Sequence, residues 1–228
     1  MEEFSADRRL ATEKRHRERE QDIIAATREL LDTRGVQNTQ IEHIAHAVGI
    51  NKAILYRHFN GKDELFALAL CGYLEELRDR FTRAVEGADR PAAKLQALVE
   101  EFVGFGSDHP AFIDASRELM LRPGGELIAE VGESTAIRFG SAAASSLGIL
   151  TRVLAEGAET GDFEVADPVL LANMLYASGL GMMQLARLGV LISESAPGVP
   201  SIAPVTRDQV RDHLIASALA NVGVRRSS

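Results

Sequence analysis

The stretch that decides the fold is 51-NKAILYRHFNGKDELF-66, where apolar anchors alternate with groups that bind anions. Ile54, Leu55 and Phe59 recur at helical spacing and predict one buried face. Lys52 and Tyr56 fall on the outer face of the same short helix. Asn60-Gly61 then breaks the chain, and Lys62 opens a new helix. A helix with a buried face and a donor-rich outer face is typical of a surface that meets an anionic partner.

The segment before this helix predicts a second short helix, joined to it by a tight turn. Thr39 and Glu42 have the spacing of a capping box, which predicts a helix start at Thr39. Gly49 ends this helix, and Asn51 can cap the next one. A longer helix over about 17–34 precedes both. Three helices in this order have the outline of a helix-turn-helix.

Helical periodicity continues through the remaining sequence, and no convincing strand pattern appears. The sequence predicts an all-α fold of about nine helices, in which an N-terminal three-helix helix-turn-helix domain is joined by a long helix to a larger C-terminal helical bundle. The predicted domains are a flexible N-terminal arm (1–18), the helix-turn-helix domain (19–66) and a C-terminal helical domain (67–228). Further helices are predicted at about 91–103, 110–121, 126–159, 168–188 and 206–222. A proline-rich loop, SESAPGVPSIAP, precedes the last helix.

Charge is distributed unevenly along the 228 residues. The net charge is −8, yet residues 1–62 carry eleven Lys and Arg against ten Asp and Glu, while residues 63–228 carry 14 against 23. This asymmetry indicates an N-terminal module that meets polyanions. The single cysteine, Cys71, fits a reducing compartment. The N-terminal residues lack the apolar segment of a signal peptide, so we expect a cytoplasmic protein.

From about Arg19 to Leu68 the sequence resembles the TetR family of bacterial transcription regulators. The matching pieces are Gly35, Thr39, Ile44-Ala45, Val48-Gly49-Ile50, Leu55-Tyr56-Arg57-His58-Phe59 and Lys62-Asp63-Glu64-Leu65. Three positions depart from the family pattern: Asn51 stands where Ser is usual, Ala53 where Gly or another small residue is usual, and Asp63 where Glu is usual. The resemblance covers under a quarter of the chain.

The resemblance implies a homodimer that binds double-stranded DNA at a palindromic operator and is released by a small-molecule effector. It implies that Lys52, Ala53 and Tyr56 lie in or beside the major groove. The full set of implied DNA-binding positions is Thr39, Gln40, Asn51, Lys52, Ala53, Tyr56, His58 and Lys62. Arg57 is expected to be solvated or ion-paired instead.

The resemblance also implies that the C-terminal domain (67–228) is a ligand-binding and dimerisation domain, with an effector pocket and a dimer interface. Aromatic and polar residues scattered among apolar ones predict a mostly apolar cavity for a hydrophobic or amphipathic ligand. The candidate lining residues are Phe102, Phe105, His109, Phe112, Arg117, Arg138, Asn173, Tyr176 and Met183. The uncharged stretch 169–186 is just long enough to span a bilayer. We expect it instead to form a dimer interface with helix 206–222, and expect a charge at Leu180 or Leu214 to weaken the dimer.

Other chemistries find little support in the sequence. His43 and His46 lie three residues apart, but Glu42 precedes them, so the H-E-x-x-H order of zinc hydrolases is absent. No phosphate-binding glycine loop or nucleophile elbow occurs. We therefore expect neither enzymatic activity nor a cofactor nor a metal, and expect a repressor without membrane association. A helical enzyme, or a ligand-binding or scaffold protein with a vestigial DNA-binding module, remains an alternative.

Overall fold

The computed structural model describes residues 2–120 and 124–223, with side chains for 14–120, 126 and 128–223. Within these residues it has ten helices and one two-stranded sheet, which confirms the helical fold class. The elements are α1 Glu2–Arg34, α2 Ile41–Ala47, α3 Lys52–His58, α4 Lys62–Glu86, α5 Pro91–Asp108, α6 Pro110–Met120, α7 Gly124–Val131, α8 Glu133–Thr160, α9 Pro168–Leu188, β1 Val190–Ala196, β2 Val199–Pro204 and α10 Arg207–Asn221.

One helix more than predicted arises at Gly132. The sequence predicted a single helix over about 126–159, but α7 ends at Val131 and α8 begins at Glu133. Gly132 has a φ of 81° and donates its backbone N–H to the Ile128 carbonyl at 3.0 Å. A left-handed residue cannot continue a right-handed helix, so this glycine separates the two.

The prediction that the proline-rich stretch before the last helix forms a loop was wrong. β1 and β2 pair antiparallel there, with Ile192 opposite Ile202, and residues 197–198 form the turn. Gly198 supplies a φ of 78°, which a tight hairpin turn requires. Within the two strands, prolines occur only in β2. The outer side of β2 has no neighbouring strand in this two-stranded sheet, so no hydrogen-bond ladder on that side needs the N–H groups that proline lacks.

The chain divides into two compact units. The first comprises Met1–Gly72 and Glu118–Gly140, and the second comprises Tyr73–Arg117 and Ser141–Ser228. The first unit is built around α1, α2 and α3, with Ile23, Leu31, Ile44, Leu55 and Leu65 fully or almost fully buried. Residues 2–18 of the predicted arm lie in α1, because that helix begins at Glu2 instead of about Arg17.

The second unit has an aromatic core. Phe105 and Phe112 are fully buried with ring centroids 5.1 Å apart, and Tyr73 lies 6.1 Å from Phe112. α5 contacts both α9 and α10. Gly179 allows the approach of α9 to α5, because a Cβ added there would lie 2.8 Å from the ring of Phe102. These contacts between α5, α9 and α10 surround a narrow apolar cleft in the second unit.

Candidate nucleic-acid interface

A sharp turn presents α3 on the surface of the first unit. Gly49 has a φ of 68°, and Ile50 donates its N–H back to the Ala45 carbonyl at 2.9 Å, which closes the end of α2. Asn51 then caps α3 by accepting the Ile54 N–H at 2.9 Å, as predicted. The α2–α3 turn is therefore fixed at both ends by hydrogen bonds and by the glycine.

The inner face of α3 holds the helix to the unit. Leu55 is fully buried, Phe59 is 4% exposed just after the helix, and Ile54 is half-buried. The outer face carries Lys52, Ala53, Tyr56 and Arg57, all exposed. A helix of this size fits the DNA major groove, and residues near its N-terminus reach the base edges. This arrangement of faces is what a recognition helix requires.

Lys52 forms an ion pair on this surface. Its Nζ donates to the Glu42 carboxylate on α2, and this hydrogen bond lowers the pKa of Glu42. Both side chains are about half exposed, so water screens the pair. A DNA phosphate or base can therefore compete with Glu42 for the lysine. The sequence alone does not reveal this pair, because two residues ten positions apart meet only once the turn is formed.

The predicted helix start at Thr39 was wrong. α2 begins at Ile41 with Gln40 as its N-cap, and the Gln40 N–H donates to Nδ1 of His43 at 3.2 Å. Thr39 is fully buried, and its hydroxyl donates to the carbonyls of Gly35 at 2.8 Å and Leu30 at 3.2 Å. With its hydroxyl turned inward and bonded, Thr39 stabilises the α1–α2 connection and does not offer this group to a phosphate.

Most of the remaining predicted DNA contacts have exposed side chains. These exposed residues are Gln40, Asn51, Lys52, Ala53 and Tyr56, and Tyr56 exposes 54% of its surface.

Lys62 and His58 are less open. Lys62 is half-buried, with its Nζ 4.8 Å from the centre of the Phe66 ring, at the start of α4. The His58 side chain is only 12% exposed and turns towards α1. His58 is therefore poorly placed to reach a phosphate.

A hydrogen-bonded link fixes the α3–α4 turn that precedes Lys62. Glu64 accepts the Asn60 N–H at 2.6 Å through one carboxylate oxygen and the Thr135 hydroxyl at 2.9 Å through the other. Thr135 is buried near the start of α8. Glu64 thereby ties the α3–α4 turn to α8 within the first unit. The family pattern includes an acid at this site, but the sequence held no signal for its partner Thr135.

The second unit contains a narrow apolar cleft between α4, α5, α8, α9 and α10. Its free volume is about 80 Å³, which leaves room for a few water-sized groups at most. The lining residues are Phe81, Leu95, Leu98, Val99, Phe102, Leu147, Leu150, Leu175, Tyr176, Ser178, Gly179, Leu214, Ser217, Ala218 and Asn221. Ligand sites usually enclose about 300–1,000 Å³, so a ligand has to widen this cleft.

Only Phe102 and Tyr176 of the nine predicted pocket residues line this cleft. Their ring centroids are 6.0 Å apart. Tyr176 donates its hydroxyl to Ser116 at 3.3 Å, and burial raises the pKa of Tyr176 to about 12. The tyrosine therefore stays neutral even near pH 10, where an exposed tyrosine would begin to ionise.

The other seven predicted pocket residues lie elsewhere. Phe105, Phe112 and His109 belong to the aromatic core, and Met183 is buried against Gly106. Asn173 is exposed and donates to the Val169 carbonyl at 2.9 Å. Arg117 and Arg138 are exposed, Arg138 in the first unit. For Phe105, Phe112 and Met183, sequence patterns cannot separate lining positions from core positions, because both are apolar.

α9 carries an exposed apolar face. Val169, Leu170 and Met174 each show more than half of their surface, while Leu180 on the inner side is 2% exposed. The helix is long and apolar enough to cross a membrane by length and composition alone, with 22% of its most apolar window buried. Leu180 and Leu214 are both buried within their own unit. A charge at either position, which the sequence suggested would weaken the dimer, would therefore destabilise the folded unit instead.

A buried-anchor helix, a glycine turn and a donor-rich outer face together define a helix-turn-helix protein. Residues 23–69 match the family model for bacterial regulatory proteins of the tetR family. This match confirms the resemblance to the TetR family seen in the N-terminal part of the sequence.

Relatives agree with this assignment. The chain is 32% identical over 88 residues to the HTH-type transcriptional activator FasR of Mycolicibacterium smegmatis, covering 39% of this chain and 40% of that protein. It is 37% identical over 76 residues to the HTH-type transcriptional repressor KstR2 of Rhodococcus jostii, covering 33% and 36%. The matched region spans less than half the length of these curated relatives.

The likeness in fold extends over almost the whole chain. A crystal structure of RolR in complex with resorcinol superposes with a TM-score of 0.65 at 19% identity, covering 93% of this chain and 91% of that one. At this identity the superposition shows the shared fold, including the helical second unit.

Proposed function

We propose that this chain is a cytoplasmic, ligand-responsive transcription regulator that binds double-stranded DNA as a homodimer. The observation that carries the proposal is the outer face of α3, where Lys52, Ala53 and Tyr56 stand exposed above the buried Leu55. Lysine supplies a donor, alanine a methyl for thymine, and tyrosine an aromatic hydroxyl. Gln40 and Lys62 flank this face and are proposed to hold phosphates.

The proposed homodimer rests on α9. Its exposed apolar residues Val169, Leu170 and Met174 form a face that water covers poorly. Ala177 and Gly181 are also exposed and small enough for a second helix to approach closely. A second copy of α9 brings the same face to the contact, as a two-fold interface demands. In α10, Val210 and Leu214 are buried in their own unit, whereas Ile215 and Leu219 are half-buried. We therefore assign α10 a smaller share of the interface than the sequence suggested.

The proposed effector site is the cleft beside Phe102 and Tyr176. Its apolar lining and the few polar groups at Tyr176, Ser178, Ser217 and Asn221 fit a small hydrophobic or amphipathic molecule. The RolR structure with resorcinol is an instance of this fold with a small aromatic ligand. Because the cleft is narrow, the ligand selects a wider conformation, and regulation requires that DNA binding favours the narrow one.

We propose repression at a palindromic operator, with release by the effector. A dimer with one recognition helix per chain reads two half-sites related by two-fold symmetry. The curated relatives include both an activator and a repressor, so the sign of regulation needs its own measurement. A reporter gene behind the operator, with and without the chain, provides it: repression predicts a higher signal when the chain is deleted.

The decisive experiment measures binding to DNA from upstream of the chain's own coding region. Fluorescence anisotropy is recorded against this DNA and against a scrambled fragment of equal length, from about 50 to 200 mM salt, over which phosphate-bound proteins lose affinity steeply. We expect tighter binding to the upstream fragment and strong salt dependence. Equal, weak binding to both fragments contradicts operator recognition at this DNA.

The matched variant for this experiment is the Lys52→Ala, Tyr56→Ala double substitution. Both side chains are exposed, so the fold should not change. We expect the preference for the upstream fragment to fall while residual binding to scrambled DNA persists, because phosphate contacts lie elsewhere. An unchanged preference places the base contacts outside α3.

A further inference from the structure

We propose that the first unit contains a binding site for Zn²⁺ or a similar divalent transition-metal ion, formed by His16, Glu20 and His58. His16 and Glu20 lie one turn apart on α1, and His58 is the last residue of α3. One ligand atom from each of the three lies within 4.8 Å of the other two. Two imidazoles and a carboxylate thus meet where the recognition helix ends against α1.

The distances are close to those that a metal ion imposes. Glu20 Oε1 lies 3.1 Å from Nδ1 of His16 and 3.7 Å from Nδ1 of His58. Ligands bonded at about 2.0–2.2 Å to a tetrahedral ion stand roughly 3.3–3.6 Å from one another. The two imidazole rings are also close, with centroids 4.3 Å apart and planes inclined by 38°. The ligand atoms of His16 and His58 lie within 4.8 Å of each other, so small rotamer changes would bring all three groups to one ion.

An unsatisfied atom points to the same site. Nδ1 of His58 is buried and has no hydrogen-bond partner among the residues the structure describes. Buried polar atoms in folded proteins are rarely left unpaired, and a metal ion bound at this nitrogen would satisfy it. His16 has 53% of its side chain exposed and Glu20 has 32%, so an ion can enter from solvent. The fourth coordination position is then open to water.

The donor set selects the class of ion. Imidazole nitrogen suits zinc, copper and nickel, whereas calcium and magnesium require oxygen ligands. Two histidines and one carboxylate with an open position are a known zinc donor set. Because the ligands come from two helices that are far apart in sequence, a bound ion would fasten the end of α3 to α1. The site is defined by the geometry of these three side chains and does not depend on DNA binding.

Zinc binding to the full-length, untagged chain tests the proposal directly. The chain is stripped with chelator, and titration calorimetry is run with Zn²⁺ alone, without DNA. We expect one high-affinity site per chain and a higher thermal midpoint with zinc, because an ion that binds only the folded state stabilises it. Titration with Co²⁺ should give visible absorption with nitrogen ligation.

Three variants make the test specific to this cluster. His16→Gln and Glu20→Gln each remove one ligand, and each should weaken zinc binding at least about tenfold and abolish the thermal shift. His46→Gln is the matched control, since His46 is an exposed histidine on α2 outside the cluster. It should bind zinc as the natural chain does.

Two results would exclude a zinc site at His16, Glu20 and His58. The site is absent if the natural chain takes up no zinc, or if His16→Gln and Glu20→Gln both bind as tightly as the natural chain. An equal loss in His46→Gln would indicate scattered surface histidines instead. Circular dichroism checks the helical content of each variant, and Glu20→Gln, which keeps the side-chain shape, gives the result if His16→Gln fails to fold.

Discussion

The outer faces of α3 and α9 have opposite chemistry, although both helices are held by buried leucines. α3 is seven residues long and exposes Lys52 and Tyr56, while α9 is 21 residues long and exposes Leu170 and Met174. A polar outer face is stable in water, and contacts with phosphates and base edges stabilise its complex with DNA. An apolar outer face is unfavourable in water, and packing against another apolar surface stabilises it. The difference identifies DNA as the proposed partner of α3 and a second copy of the chain as the proposed partner of α9.

Met174→Glu should have the largest effect, because it places a charge in the centre of the proposed α9 interface. An uncompensated buried charge costs about 3–5 kcal/mol, enough to dissociate a moderately tight dimer. Multi-angle light scattering should show the mass falling from two chains to one, each of 24.7 kDa.

Leu180→Ala serves as the inner-face control for this experiment. Leu180 is 2% exposed within its own unit. Truncation should lower the free energy of unfolding by about 2–5 kcal/mol without changing the dimer mass. A dimer that persists in Met174→Glu would show that the exposed face of α9 is not the interface.

Leu55→Ala should show how strongly α3 depends on its inner face. The side chain is fully buried, so truncation should lower the free energy of unfolding by about 2–5 kcal/mol. Urea denaturation measures this loss. Tyr56→Ala, one residue along and 54% exposed, should change stability by less than about 0.5 kcal/mol. Equal losses at the two positions would contradict the assignment of inner and outer faces.

Lys52 and Glu42 should act on DNA binding with opposite signs. Lys52→Ala removes a proposed base contact and should cost about 1–3 kcal/mol at the operator. Glu42→Gln frees Lys52 from its ion pair and removes a negative charge beside the DNA surface, so binding should tighten. Anisotropy titrations at one salt concentration measure both. Weaker binding by Glu42→Gln would show that the ion pair positions Lys52 for DNA.

Gly49→Ala should strain the turn that presents α3. A Cβ there meets no atom within 4 Å, so only the φ of 68° opposes the substitution. The expected loss of unfolding free energy is about 1–2 kcal/mol. Gly61→Ala is the matched control, since a Cβ there also meets open space and the backbone is not left-handed. That control should be neutral or stabilise by about 0.4–1 kcal/mol.

Lys62→Ala should have the smallest and least selective effect. If Lys62 holds a phosphate, its loss weakens operator and scrambled DNA alike and reduces the salt slope by about one. Affinities measured at several salt concentrations give the slope. A change in the preference between the two DNA fragments would instead indicate that Lys62 contributes to base recognition.

The sequence predicted α3 well because the signals for it are local. Asn51 as a cap and Leu55 and Phe59 as anchors all lie within nine residues, where spacing alone defines a face. The start of α2 was misplaced because the Thr39 hydroxyl donates to the carbonyls of Leu30 in α1 and of Gly35 just after it. Local sequence cannot rank this alternative against a capping role.

The second unit was predicted less well, for two physical reasons. α9 is apolar on all sides, so helical periodicity could not distinguish the buried Leu180 from the exposed Met174. The cleft is lined from five helices, so residues as distant in sequence as Phe81 and Asn221 meet only in the folded chain. Interactions over such separations leave no short-range pattern.

Cys71 has a practical consequence for spectroscopy. It is the only cysteine of the chain, and it lies on a buried side of α4 with 3% of its surface exposed. A thiol-reactive fluorophore or spin label would therefore react slowly with the folded natural chain. A cysteine introduced at the exposed position of Arg57 would be the one readily labelled site. Distances between two such labels in a dimer would report the spacing of the recognition helices directly, with and without effector.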